Sequence, residues 1–221
     1  MKRFAIIFAF VAVVLLVVVF FYQKGQQRQY ICHDRLSADE VSQLRAGDII
    51  LRKGFGVVSA SIAKALDEDF SVSHCGIVDA DSNGGLRVIH SVSASLSDFD
   101  GLQECSIREF CRESKEKSLI VVRFRDTSDV PLASLAKTAQ KYLDRKIPFD
   151  GVFDLSDNAE MYCSEMVYCA MRETFGYDIY PDKSKTEVVK FTPFFDTTRF
   201  YRVINHNIKY LCTTKKRSGF N

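Results

Sequence analysis

The chain reads as an α+β domain, and three observations carry that class. Two strand-like segments, His74–Ala80 and Leu86–Val92, flank Asp81-Ser-Asn-Gly-Gly85. Asn-Gly followed by a further Gly is a hairpin signature, so the two segments pair antiparallel. The helical patterns stand apart from these strands rather than alternating with them, and no internal repeat occurs.

Taken in order, the 221 residues give one globular domain behind an extra N-terminal segment. Residues 4–22 carry no charge and are dominated by Phe, Val, Ile, Leu and Ala. As a helix that run would be roughly 28 Å long, enough to cross the hydrocarbon of a bilayer. Lys2 and Arg3 precede it, as in a signal peptide or signal anchor. It ends in Phe20-Phe-Tyr-Gln-Lys24 without a small-x-small cleavage site, which favours an uncleaved anchor over a removed signal. Residues 1–23 are therefore assigned to the anchor or signal and 24–36 to a juxtamembrane linker. Residues 37–212 form the domain and 213–221 a basic tail. Lys24 and Arg28 nearly balance Lys2 and Arg3, so the charge bias is weak. With no N-terminal domain to export, the expectation is a single-pass cell-membrane protein with its domain outside, or an exported domain if the segment is cleaved.

Within the domain, Ser37-Ala-Asp-Glu40 is a capping box opening a brief helix. Ala46-Gly-Asp48 turns into a strand at residues 49–52, and 57–66 read as a helix. After the hairpin come a short helix near 106–112 and a strand at 119–124. Pro131 then opens a helix that runs to about 143. Residues 147–158 form a loop with Pro148, Gly151 and the aspartates Asp150, Asp154 and Asp157, read as loop solvation. A helix from Met161 to Phe175, capped by Gly176, and a late strand at 200–204 complete the domain.

Thirty Lys and Arg against 28 Asp and Glu leave a net charge of +2, which argues against a nucleic-acid platform. Seven cysteines in an oxidising compartment would pair six and leave one, and Cys163 is the natural odd thiol. The alternative makes Cys75, Cys105, Cys111 and Cys169 small buried hydrophobes. No CxxC occurs and no pair has zinc-finger spacing, so no structural metal and no cofactor is expected.

The most informative stretch is Met161-Tyr-Cys-Ser-Glu-Met-Val167. A thiol in the first turn of a helix meets the positive end of the dipole and unpaired N–H groups, and both favour the nucleophilic thiolate. A nucleophile needs a base, and the chain has four histidines. His74 opens one hairpin strand and His90 lies late in its partner, so the hairpin sets them side by side. Cys163 is the candidate nucleophile, His74 the base and His90 the residue that orients it. The Cys163 backbone N–H and Tyr162 are the candidate oxyanion donors. Gly76, on the His74 face, is expected to leave room for the cysteine helix to dock there.

Gly47-Asp-Ile-Ile50, Ser73-His-Cys-Gly-Ile-Val78, Val88-Ile-His90 and Tyr162-Cys-Ser-Glu-Met-Val167 together resemble the circularly permuted papain-like cysteine hydrolases of the YiiX/YebB type. Here the cysteine helix follows the Gly-Asp and Ser-His strands, which is the permuted order; in unpermuted relatives it precedes them. The resemblance implies a permuted papain-like domain, with an antiparallel sheet packed against the cysteine helix. It also implies Cys163 as nucleophile, His74 as base and His90 as third member. Two positions depart from it: Cys75 stands where an aliphatic residue is usual, and His90 where close relatives often have Glu. The resemblance implies action on an acyl carbonyl, in a peptide or a lipid. The expected function is a membrane-tethered peptidase or amidase of envelope peptides. A lipid acyl hydrolase or acyltransferase, an inactive binding module, and a zinc site on His74, His90 and Cys163 are the alternatives.

Overall fold

The computed structural model describes residues 8, 11–20, 35–66, 71–81, 83–180 and 188–207. The chain divides into two units, Met1–His33 and Asp34–Asn221. In the first, residues 11–20 are helical (α1). Among the described residues no helix is long and apolar enough to cross a membrane. The expected span of residues 4–22 is thus seen only as this shorter helix, and its other positions, apart from residue 8, lie outside the described residues. Most of the linker, Cys32, Cys212 and the basic tail lie outside them too.

The second unit is a six-stranded, wholly antiparallel sheet with helices on both faces. Its strands are β1 Ile49–Arg52, β2 His74–Ala80, β3 Leu86–Val92, β4 Gly101–Ser106, β5 Ile120–Phe124 and β6 Phe200–Asn205. They lie in the order β4-β3-β2-β1-β5-β6. Five of these strands are the expected ones; β4 is additional. Its Gln-Glu-Cys-Ser stretch is polar because, as an edge strand, it is covered on one side only, and its exposure alternates accordingly.

The helices are α2 Ala38–Gln43, α3 Gly56–Ala65, α4 Ile107–Arg112, α5 Ala133–Asp144 and α6 Cys163–Phe175. Strand alternation sorts the core into two clusters. Ile49, Leu51, Cys75, Ile77, Ile89, Ile120 and Val122 pack with Leu135, Ala136 and Ala139 of α5 and Met166, Val167 and Ala170 of α6. Ile50, Val78, Val88 and Val121 face the other way, onto Leu36, Leu44 and the α4 residues Phe110 and Cys111. Covered on both faces, β1 is apolar at each of Ile49, Ile50 and Leu51 rather than alternating, and ends on Arg52.

Local signals behave as their chemistry dictates. The Ser37 N–H donates to Glu40 Oε2 at 2.9 Å, and the Glu40 N–H to Ser37 Oγ at 3.2 Å. The hairpin turn closes on Asp81, whose Oδ1 accepts the N–H groups of Asn83 and Gly85 at 2.7 and 2.8 Å. Gly176 adopts φ +64° and caps α6 by donating to the Arg172 carbonyl. At Gly47, φ is +93° and the Leu132 backbone occupies the place a Cβ would take. Asp48, fully buried, pairs with Arg123 through both oxygens at 2.7 and 2.9 Å, tying β1 to β5.

Candidate active site

The site lies where β2 begins and α6 begins. His74 is the first residue of β2 and Cys163 the first of α6. Both elements are held by short polar ties. The Ser73 hydroxyl accepts the Gly54 N–H at 3.1 Å and meets Ser59 Oγ at 2.5 Å, fixing the entry to β2. On the other side, Ser91 Oγ donates to the Met161 carbonyl at 2.5 Å, and the Met161 N–H donates to the Pro148 carbonyl at 2.9 Å. Ser164 Oγ donates to the Val189 carbonyl at 2.7 Å.

His74 and His90 are brought together as the hairpin predicts, with Nε2 of His74 2.8 Å from Nδ1 of His90. The hairpin register runs through Ile77–Ile89, and its continuation sets His90 beside Gly76. A Cβ on Gly76 would come 2.5 Å from Val88 Cγ1 and 3.1 Å from His90 Cβ. Gly76 therefore makes room for His90, not for the cysteine helix. Helix α6 covers the opposite face of β2, against Cys75 and Ile77. The expected docking on the His74 face is thus corrected, and Cys163 reaches His74 around the strand end. Phe110 of α4 forms the floor, its ring 5.7 Å from that of His74 and 5.5 Å from that of His90.

The protonation pattern follows from these contacts. Burial first, then the charges of His74 and Arg52, hold His90 well below the ordinary histidine range, so it is neutral. One ring nitrogen of a neutral imidazole accepts and the other donates. Cys105 Sγ lies 3.5 Å from His90 Nε2, and burial pushes that thiol up to about 12, so it carries no charge. His74 Nε2 and His90 Nδ1 thus share one hydrogen bond, and His90 Nε2 and Cys105 Sγ another. That leaves Nδ1 of His74 for Cys163.

The Cys163 sulfur lies beside Cys75 and His74. Foremost the Cys75 contact, and next the His74 charge, hold the Cys163 thiol well below the ordinary cysteine range against the opposing effect of burial. Two other thiols go the other way: burial raises Cys111, like Cys105, to about 12. The Cys163 sulfur thus stands half-buried beside His74 at the positive end of a helix, a setting that favours thiolate over thiol.

Tyr162 is placed differently from its expected role. Its ring is buried and its hydroxyl accepts the Val189 N–H at 2.8 Å, so the side chain is committed to holding the 188–191 loop against α6. Its own N–H donates to Glu165 Oε2 at 3.2 Å. Burial raises Glu165 to about 8, with Asp150, Asp157 and Asp154 adding repulsion, so it is a neutral acid near pH 7. Asp150 is not loop solvation: it is buried, and its Oδ1 accepts the N–H groups of Val152 and Phe153 at 2.8 Å.

Three residues near the histidines carry no marked signal in the sequence. Arg52 is the cross-strand partner of His74, lies 4.5 Å over the Phe110 ring and pairs with Glu113 at 2.7 Å. An arginine ending a fully apolar strand is the hint that was available. Phe110 and Cys105 flank Ser106-Ile-Arg-Glu109, itself a legible capping box. All five described cysteines are free thiols, so no disulfide links Cys75, Cys105, Cys111, Cys163 or Cys169.

A family model described as "Permuted papain-like amidase enzyme, YaeF/YiiX, C92 family" matches residues 43–191, more than half of the chain. No curated protein matches the chain. Among solved structures, the crystal structure of metalloprotein yiiX from Escherichia coli O157:H7 is similar with a TM-score of 0.56 and 21% identity. The match covers 74% of this chain and 98% of that one. Among the described residues here, no three His, Cys, Asp or Glu side chains are grouped as metal ligands.

Proposed function

The chain belongs to the permuted papain-like amidase family, and from that premise we propose that it is a cysteine amidase working through Cys163, His74 and His90. The observation that carries this reading is the continuous polar chain from the Cys163 sulfur through His74 and His90 to Cys105. In the proposed reaction the Cys163 thiolate attacks an acyl carbonyl, and the N-terminal N–H groups of α6 face the developing oxyanion. His74 gives its Nδ1 proton to the leaving amine or alcohol, and a thioester forms on Cys163. Water then attacks the thioester, His74 takes its proton, and the acid leaves as the thiolate is restored.

The proposed substrate is an envelope peptide, cut by a domain tethered outside the cytoplasmic membrane. The uncharged apolar run of residues 4–22 supports the tether, and separation of membrane and soluble fractions tests it. A lipid acyl group is the second reading. Val152 and Phe153 favour it, as exposed apolar side chains on a loop whose Phe153 ring lies 5.0 Å from that of Tyr162. Turnover of peptide amides against lipid esters, with Cys163→Ala as the blank, separates the two. Equal turnover by Cys163→Ala on every substrate would sink the enzyme reading.

A further inference from the structure

Two thiols meet at this site, and the proposed hydrolysis uses only one. Cys75 follows His74 directly, so strand alternation turns its side chain to the opposite face of β2, under the first turn of α6. There it packs in one cluster with Cys163 and lies beside its sulfur. The two differ in access: Cys75 is fully buried, whereas Cys163 is partly open. An oxidant therefore meets Cys163 first and Cys75 only through it. The other described thiols are elsewhere. Cys105 and Cys111 lie among the residues on the α4 side of the sheet, and Cys169 hydrogen-bonds with Asn158 at 3.2 Å.

We propose that Cys163 and Cys75 form a reversible disulfide when the protein meets a peroxide, closing the site and sparing the nucleophile from terminal oxidation. The Cys163 thiolate attacks one peroxide oxygen, the O–O bond breaks, and hydroxide leaves to become water, with Cys163 now a sulfenic acid. The Cys75 sulfur then attacks the Cys163 sulfur. The S–S bond forms, the S–O bond breaks, and the departing oxygen leaves as water with the Cys75 proton. Two thiols have lost two electrons and one peroxide has become two waters. A dithiol reverses the change by exchange at the Cys163 sulfur, which is the accessible one. Without Cys75 the sulfenic acid has no thiol beside it among the described residues and proceeds to sulfinic acid.

This inference rests on Cys163 being the reactive thiolate of the proposed enzyme, so its test reads mass and thiol labelling rather than turnover. The full chain is treated with hydrogen peroxide, blocked with iodoacetamide and digested, with and without later dithiothreitol. The expected product is a cross-linked peptide pair joining Cys75 to Cys163, lighter by two hydrogens, with Cys163 labelling restored by dithiothreitol. In Cys75→Ala the same treatment is expected to add two oxygens to Cys163, and dithiothreitol is expected to restore nothing. Rapid labelling of untreated Cys163 with no cross-link after peroxide overturns the disulfide while leaving the thiolate reading intact. Slow labelling of untreated Cys163 overturns both. Equal recovery of Cys75→Ala and the unaltered chain overturns the protective role.

Discussion

Ser91 and Met161 are joined by a 2.5 Å hydrogen bond from the Ser91 hydroxyl to the Met161 carbonyl, across 70 residues of sequence. Ser91 follows His90 on β3, and Met161 stands two residues before Cys163. One strand therefore holds both the His90 ring that meets His74 and, through Ser91, the peptide that leads into Cys163. Ser91→Ala leaves a buried carbonyl unpaired, an expected cost of about 1–3 kcal/mol. Urea unfolding measures it, and alkylation of Cys163 at neutral pH is expected to slow in parallel. Unchanged alkylation would show that Cys163 is aimed without this tie.

Cys163 alkylation followed against pH is expected to plateau well below the ordinary cysteine range of roughly 8.5, because the thiolate is already formed there. In His74→Ala the midpoint moves up toward that range. Cys105 and Cys111, raised to about 12, stay unlabelled throughout. A midpoint indifferent to His74 would remove the ion pair from the account.

On the proposed pathway His90 is a neutral acceptor for His74 Nε2–H, a task an amide oxygen also performs. His90→Gln is expected to retain most amidase activity, and His90→Leu to lose about a hundredfold or more through a misoriented base. Steady-state kcat on a responsive amide checks the pair. Equal losses would mean that the ring's volume, not its acceptor, is what matters.

Gly76→Ala would drive a methyl group to 2.5 Å from Val88 and 3.1 Å from His90. The expected result is a loss of about 1–3 kcal/mol from overpacking, read by urea unfolding. A displaced His90 is expected to lower kcat as well.

Glu165 gives stability a pH dependence of definite sign. Its folded value, about 8, lies above its unfolded value of about 4.3. Between these the folded state holds the extra proton, so stability falls as pH rises from about 4 to about 8. Glu165→Gln keeps an acceptor for the Tyr162 N–H and cannot ionise. The difference in urea midpoint between the two proteins should therefore grow in favour of Glu165→Gln across that window, and a flat difference would place Glu165 in the ionised form.

Much of this was legible because the signals are local. The Ser37 box, the Asn-Gly hairpin, the Gly176 cap and the apolar run at 49–51 each act within a few residues, and each appears where its chemistry puts it. The pairing of His74 with His90 followed from one turn. Strand β4 was missed because its polar residues reflect a half-covered edge, and only the chain beside it makes it a strand. The four-residue 3-10 helix Thr192–Phe195 was missed for want of any cap beyond Pro193. The face on which α6 docks depends on which cluster its Met166, Val167 and Ala170 enter, and alternation in β2 allows either.

The polar chain behind Cys163 ends on a neutral sulfur, Cys105, where a carboxylate would have supplied an anion. On the proposed pathway, the thiolate is thus the imidazolium's nearest counter-ion, while Arg52 stands across the strand as a second cation. Forming the thioester consumes that counter-ion. The imidazolium is then left without its partner, beside a guanidinium that Glu113 already neutralises, and surrendering its proton to the departing group restores the balance. Expulsion of the leaving group and discharge of the pair become one event, timed by the loss of negative charge on sulfur.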